Sequence, residues 1–283
     1  MIKLIITDLD GTFLNSHGEF NRELFAEVSA LMQRKQVQFA PCTGKQCDRV
    51  EELFGEQAAD FWILGDSATR IRHRGEYVYQ SLIDNALGRE MIATLDAVNQ
   101  EHVIIACTPD GAVLKDSLAP AMIEKVKKSY ATVRLVPDFN AVRDDFVKIT
   151  LFDEKGRCHQ TRTHLTPYDE RAYIVVSEAA WIDIADVGVH KGSTVGRLQN
   201  MLQVTPEETA VFGDGLNDIE LMCCGDYSFA MRNAFEETKA AARFITGSND
   251  EDAVMHTIIR LLNLQPDRAY NQNNSSCRKA ASE

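Results

Sequence analysis

The sequence predicts an α/β fold, with a parallel sheet as its core and an α+β region inserted in the middle. Two observations carry this expectation. Near both ends of the chain, short apolar runs alternate with helical patterns, the signature of strands joined by crossover helices. Between about residues 84 and 187 the texture changes to closely spaced strand-like runs with few helices among them.

In chain order, residues 2–7 read as the first strand. Residues 21–35 read as a helix, with Leu24, Phe25, Val28, Leu31 and Met32 on one face. A strand at 37–42, a short helix at 47–54 and a third strand at 61–64 follow. The insert shows strands at 102–107, 112–114, 133–136, 146–152, 172–177 and 181–185, with helices at 88–99 and 120–130. The core pattern then resumes: helix 191–202, strand 209–213, a helix starting at 218–222, strand 227–231 and a closing helix at 251–262. The expected division is a core of 1–83 and 188–264 around an insert of 84–187. The stretch 265–283 is polar and rich in Asn and Ser, so it is expected to be disordered, because it cannot offset its ordering entropy.

Composition narrows the function. With 45% hydrophobic and 25% charged residues, the chain reads as an ordinary soluble globular protein. It has no apolar run long enough to span a membrane. The 42 acidic residues against 30 basic ones, a net charge of −12, leave no global positive field for nucleic acid. The seven cysteines are scattered without C-x-x-C spacing and read as reduced thiols. Strand-like sequence begins at Ile2 without a basic stretch and apolar signal core, so a cytoplasmic location is expected.

The first strand runs directly into Asp8-Leu9-Asp10-Gly11-Thr12. Two carboxylates at the carboxyl end of a parallel strand lie where ligands bind in such sheets. Their repulsion would be relieved by a hard cation such as Mg²⁺. Taken alone, the run also fits an Asp-Gly turn. A calcium loop fits Asp8, Asp10 and Glu19 at its first, third and twelfth positions, but Phe13 stands where that loop requires Gly.

Other segments carry complementary groups. Thr43-Gly44-Lys45 offers a hydroxyl and backbone amides to a phosphate oxygen. Lys191-Gly192 opens a helix, a favourable place for an anion. Gly213-Asp214-Gly215-Leu216-Asn217-Asp218 is a second acidic cluster after a strand; it is not a dinucleotide fingerprint, because Asp218 takes the third glycine position.

These four motifs, in this order, resemble those of the haloacid dehalogenase superfamily, and within it the Cof-type phosphatases, over about residues 1–262. The resemblance implies a Rossmann-like core with a cap inserted between the second and third motifs. It implies Asp8 as a nucleophile forming an aspartyl-phosphate and Asp10 as the acid and base for the leaving oxygen and water. It implies Mg²⁺ held by Asp8, the Asp10 carbonyl and Asp214, with Asp218 supporting the metal shell, and Thr43, Gly44, Lys191 and Asn217 binding phosphate. The substrate would be a small phosphorylated metabolite, such as a sugar phosphate or a phosphorylated cofactor like FMN or PLP. A phosphomutase of the same superfamily and a non-catalytic sugar-phosphate sensor are the alternatives.

The chain departs from the Cof-type pattern at three places. Lys45 replaces an Arg, Asp66-Ser67-Ala68 replaces Asn-Gly-Ala, and Arg232 replaces a Gly before Asn233. Asp66 would add negative charge near an anionic substrate unless a cation or hydrogen bond offsets it. His17, His190, Tyr173 and Trp181 read more readily as structural residues than as substrate contacts.

Overall fold

The first strand, β1 (Leu4–Thr7), is buried along its whole length, as a strand covered on both faces must be. The computed structural model describes residues 1–266, so the expected disordered tail lies, from residue 267 on, outside the described residues. Helix α1 (Arg22–Lys35) starts where the Asn21 side chain accepts the Leu24 N–H, and it ends at a left-handed Gln36. Then come β2 (Gln38–Pro41), α2 (Cys47–Phe54) and β3 (Trp62–Gly65), followed by a hairpin of β4 (Arg70–His73) and β5 (Glu76–Gln80).

The middle of the chain holds α3 (Asn85–Val98), β6 (Val103–Thr108), β7 (Gly111–Lys115), α4 (Pro120–Ser129) and β8 (Val133–Val136). It continues through β9 (Lys148–Phe152), α5 (Cys158–Thr163), β10 (Ala172–Glu178) and β11 (Trp181–Asp186). The last part is α6 (Lys191–Leu202), β12 (Thr209–Gly213), α7 (Ile219–Met222), β13 (Tyr227–Ala230), α8 (Glu236–Ala241), β14 (Phe244–Ile245) and α9 (Ala253–Asn263). Among the described residues, no helix is long and apolar enough to cross a membrane.

The strands form a parallel sheet in the order β14-β13-β12-β1-β2, a mostly antiparallel sheet in the order β10-β11-β9-β6-β7-β8, and a three-stranded antiparallel sheet β3-β4-β5. A single parallel bridge, Cys42 to Leu64, joins the last of these to the edge of the first. The expected third strand thus exists as β3 but sits in this antiparallel sheet rather than among the parallel strands, and the hairpin attached to it is absent from the sequence expectation. That hairpin turns on Arg74 (φ 51°) and Gly75 (φ 80°), a two-residue turn with both central residues left-handed. In the register of the parallel sheet, Thr7 lies beside Phe212 on one flank and Pro41 on the other, so Asp8, Asp214 and Thr43 emerge at one end.

A cluster of phenylalanine rings braces that end. Phe13 lies 5.3 to 5.9 Å, centroid to centroid, from Phe20, Phe25, Phe39 and Phe54, and is 2% exposed. Its ring anchors the loop that carries Asp8 and Asp10, which explains why this position is apolar rather than the glycine of a calcium loop. Phe13→Ala is expected to lower the stability of the chain by about 3–5 kcal/mol, read as a shift of the urea midpoint.

Candidate active site

The carboxyl ends of β1 and β12 bring the two acidic clusters together. Lys191, at the first position of α6, donates from Nζ to Asp8 Oδ1 at 2.7 Å and to Asp218 Oδ1 at 2.6 Å. All three side chains are nearly or wholly buried. The other oxygen of Asp218 accepts the backbone N–H groups of Asp214 and Gly215, at 3.0 and 2.9 Å. The Thr12 hydroxyl donates to Asp214 at 2.5 Å, which ties the first motif to the last. Gly11 is required here: its φ is +78°, and a Cβ on it would lie 2.4 Å from Asp214 Oδ2.

Burial shapes the charges. It pushes the Asp8 carboxyl well above the usual carboxylate range, against the pull of Lys191 and with added repulsion from Asp218 and Asp214. Asp214 is pushed up to about 6, again first by burial, while the Thr12 hydrogen bond opposes the rise and Asp218 adds to it. For Lys191 burial works against the charge, but Asp218 and Asp8 more than offset it and hold the ammonium well above its ordinary value. Asp8, Asp214 and Asp218 each present an oxygen within 4.8 Å of the others. Such an all-oxygen set suits a hard divalent cation. The Asp10 carboxylate is not one of this trio; it points outward and pairs with Lys45 at 2.8 Å.

A cavity of about 470 Å³ opens above these groups. Asp8, Asp10, Thr43, Gly44, Asp214 and Asn217 line its floor, while Lys191 lies beneath, reached through a smaller space that it shares with Asn217. The six-stranded sheet supplies the roof through Lys148, Thr150, Ser177, Trp181 and Asp183, joined by Tyr130 from the end of α4. The sequence reading singled out only Trp181 among these. The alternation in β11, which puts Trp181 and Asp183 on one face, is a signal that could have added Asp183 to it. Nothing local distinguished Lys148.

The three departures have structural answers. Lys45 occupies itself with Asp10. Asp66 is buried and does not line the main cavity; Arg70, 4.0 Å away, and Lys148 counter its charge. Arg232 pairs with Glu251 on the surface, while Asn233 beside it donates to the Gly11 carbonyl at 2.8 Å. His190 caps α6 by accepting the Ser193 N–H, and Tyr173 donates to Glu220 at 3.2 Å.

The sequence pattern described as haloacid dehalogenase-like hydrolase matches residues 5–258. The chain belongs to that family. It is 30% identical to the 5-amino-6-(5-phospho-D-ribitylamino)uracil phosphatase YbjI of Escherichia coli, over 92% of this chain and 96% of that protein. It is 24% identical to the HMP-PP phosphatase of Klebsiella pneumoniae, over 95% of this chain and 99% of the relative. The crystal structure of SMU.1108c from Streptococcus mutans superposes with a TM-score of 0.88 at 26% identity, covering 93% of this chain and 100% of that one. As a family member the chain is an α/β enzyme with a cap domain, and the named relatives are phosphatases.

The buried triad makes a stability prediction. Lys191→Met removes the cation from between two buried carboxylates and is expected to destabilise the fold by about 3–5 kcal/mol in the presence of a chelator, measured by chemical denaturation.

Proposed function

We propose that this hydrolase cleaves small phosphate monoesters, with Mg²⁺, through an aspartyl-phosphate on Asp8. The observation that carries the reading is the Lys191 ammonium bridging Asp8 and Asp218 just beneath a roofed cavity whose floor Asp8 and Asp214 line. In this reading an Asp8 oxygen attacks phosphorus, the ester P–O bond breaks, and Asp10 gives its proton to the leaving oxygen. Water then attacks phosphorus, Asp10 takes up its proton, and the bond from phosphorus to Asp8 breaks to release phosphate. Thr43, Gly44, Lys191 and Asn217 hold the phosphoryl oxygens and their developing charge. Mg²⁺ held by Asp8, the Asp10 carbonyl and Asp214, with Asp218 behind them, would neutralise charge between a carboxylate nucleophile and an anionic ester.

The phosphatase names of YbjI and of the HMP-PP phosphatase, both acting on small phosphorylated metabolites, support a substrate of that class here. A sugar phosphate or a phosphorylated cofactor suits a roof that combines Trp181 and Tyr130 with the hydroxyls of Thr150 and Ser177 and the carboxylate of Asp183. We take 84–187 as the cap that chooses the leaving group, with 1–83 and 188–264 as the core that performs the chemistry. Thiols at Cys42, Cys47, Cys107 and Cys158 that are buried and free of disulfides suit the cytoplasmic setting expected from the sequence.

Asp8→Asn keeps the shape of the side chain and removes the nucleophile. It is expected to abolish phosphate release from a small aryl phosphate while the melting temperature is maintained; retention of more than a few per cent of turnover would sink the covalent route. Separately, chelation should eliminate activity and added Mg²⁺ restore it, and Asp214→Ala should raise the Mg²⁺ concentration needed by at least about tenfold. Full activity in excess chelator would count against a shared ion.

A further inference from the structure

One buried cation at the seam between cap and core has no part in the chemistry above. Lys148 opens β9 of the roof sheet and is only 3% exposed. Its Nζ donates to the Gly44 carbonyl at 2.8 Å and to the Ser67 hydroxyl at 3.1 Å, with Asp183 of β11 at 3.7 Å. Burial works against this charge, and Asp183 and Asp66 are among the neighbours that more than offset it. An ammonium is retained in such a place only when its partners are well placed.

The two loops that Lys148 touches already hold one another. The Ser67 N–H donates to the Thr43 carbonyl at 3.0 Å, and the Asp66 N–H to the Lys45 carbonyl at 2.7 Å. Asp66, Ser67 and Ala68 have φ values of 55°, 61° and 62°, three successive non-glycine residues in the left-handed region. Side chains with a Cβ disfavour that region, so the segment keeps its shape only where its surroundings impose it. The Thr69 hydroxyl holds the Asp66 carbonyl at 2.9 Å, and the Thr194 hydroxyl of α6 holds the Ala68 carbonyl at 2.7 Å. Lys148 holds the Ser67 hydroxyl, and it alone of these three comes from the roof sheet.

We propose that Lys148 is a positioning residue that couples seating of the cap to the shape of the phosphate loop. With the cap down, its ammonium fixes the Gly44 carbonyl and Ser67, and so aims the Thr43-Gly44 groups into the cavity. A cap that lifts carries the ammonium away and leaves the Gly44 carbonyl to water. Phosphate binding and cap seating then favour each other by the same factor. The inference rests on the phosphatase reading for the assignment of this loop to phosphate.

Calorimetric titration of the full chain with inorganic phosphate, in the presence of Mg²⁺, needs no turnover, whereas hydrolysis of a small aryl phosphate by the wild type tests the phosphatase reading itself. Lys148→Met is expected to weaken phosphate binding at least about tenfold and to raise KM for the aryl ester more than it lowers kcat. Lys148→Arg should recover part of the loss. Lys115→Met, which loses a pair with Asp96 at 2.6 Å and a cation–ring contact with Phe139, both away from the phosphate loop, should bind phosphate as the wild type does. Wild-type phosphate affinity in a folded Lys148→Met overturns the inference. A loss confined to larger esters also overturns it, by making Lys148 a leaving-group contact. If Lys148→Met does not fold, Ser67→Ala carries the test: a loss of affinity of about threefold or more supports the coupling, and no loss overturns it. Active wild type with unchanged variants sinks the inference alone, whereas a wild type without turnover or phosphate binding sinks the phosphatase reading with it.

Discussion

The Lys191 ammonium, set between the Asp8 and Asp218 carboxylates, is the contact around which the site is arranged. It joins β1, α6 and the loop after β12, elements far apart in sequence. None of these ions would be stable at its depth alone, since each buried charge costs several kcal/mol when unpaired. Asp8, Asp214 and Asp218 outnumber the one ammonium among them, which is why burial and mutual repulsion push Asp8 and Asp214 upward. A divalent cation, as proposed above, would offset that excess of negative charge, and the oxygen trio is where it would go.

The roof sheet answers a different requirement. The floor offers nothing that discriminates one leaving group from another, because its groups face a phosphoryl group common to all candidate substrates. Under the proposed phosphatase reading, selectivity falls to Tyr130, Thr150, Ser177, Trp181 and Asp183, which come from strands and a helix end outside the parallel sheet. Because the two halves meet in the cavity wall, a group such as Lys148 can belong to one half by chain and to the other by hydrogen bonding.

The parts of the site readable in the sequence were those where a residue defied its local structural role. Carboxylates at the ends of the buried strands β1 and β12 serve no packing purpose, so Asp8, Asp10, Asp214 and Asp218 stood out and their gathering at one end followed from parallel strand order. Lys148 did not stand out, because a single lysine inside the strand-like run 146–152 looks like an ordinary solvent-facing position. Its partners, Gly44 and Ser67, lie 104 and 81 residues away in the chain, so no local pattern linked them. The hairpin of β4 and β5 was missed because its arginines masked a period-two alternation around Arg74-Gly75. Asp66 called for an offsetting cation if it lay near the substrate; the chain turns its carboxylate toward Arg70, a contact set by tertiary packing that no local pattern shows.

The placement of β1 between β2 and β12 also bears on how the chain comes into being. One neighbour of β1 follows within about thirty residues, but the other, beginning at Thr209, is made some two hundred residues later. At roughly 5–20 residues per second on the ribosome, that interval is on the order of 10–40 s. Throughout it, one flank of the nascent sheet is an open edge, and Asp8 waits without Lys191 or Asp218. The roof, whose strands lie within residues 103–186, is complete before the core can close. The order of synthesis thus completes the strands of the roof before the core acquires the charge balance around Asp8.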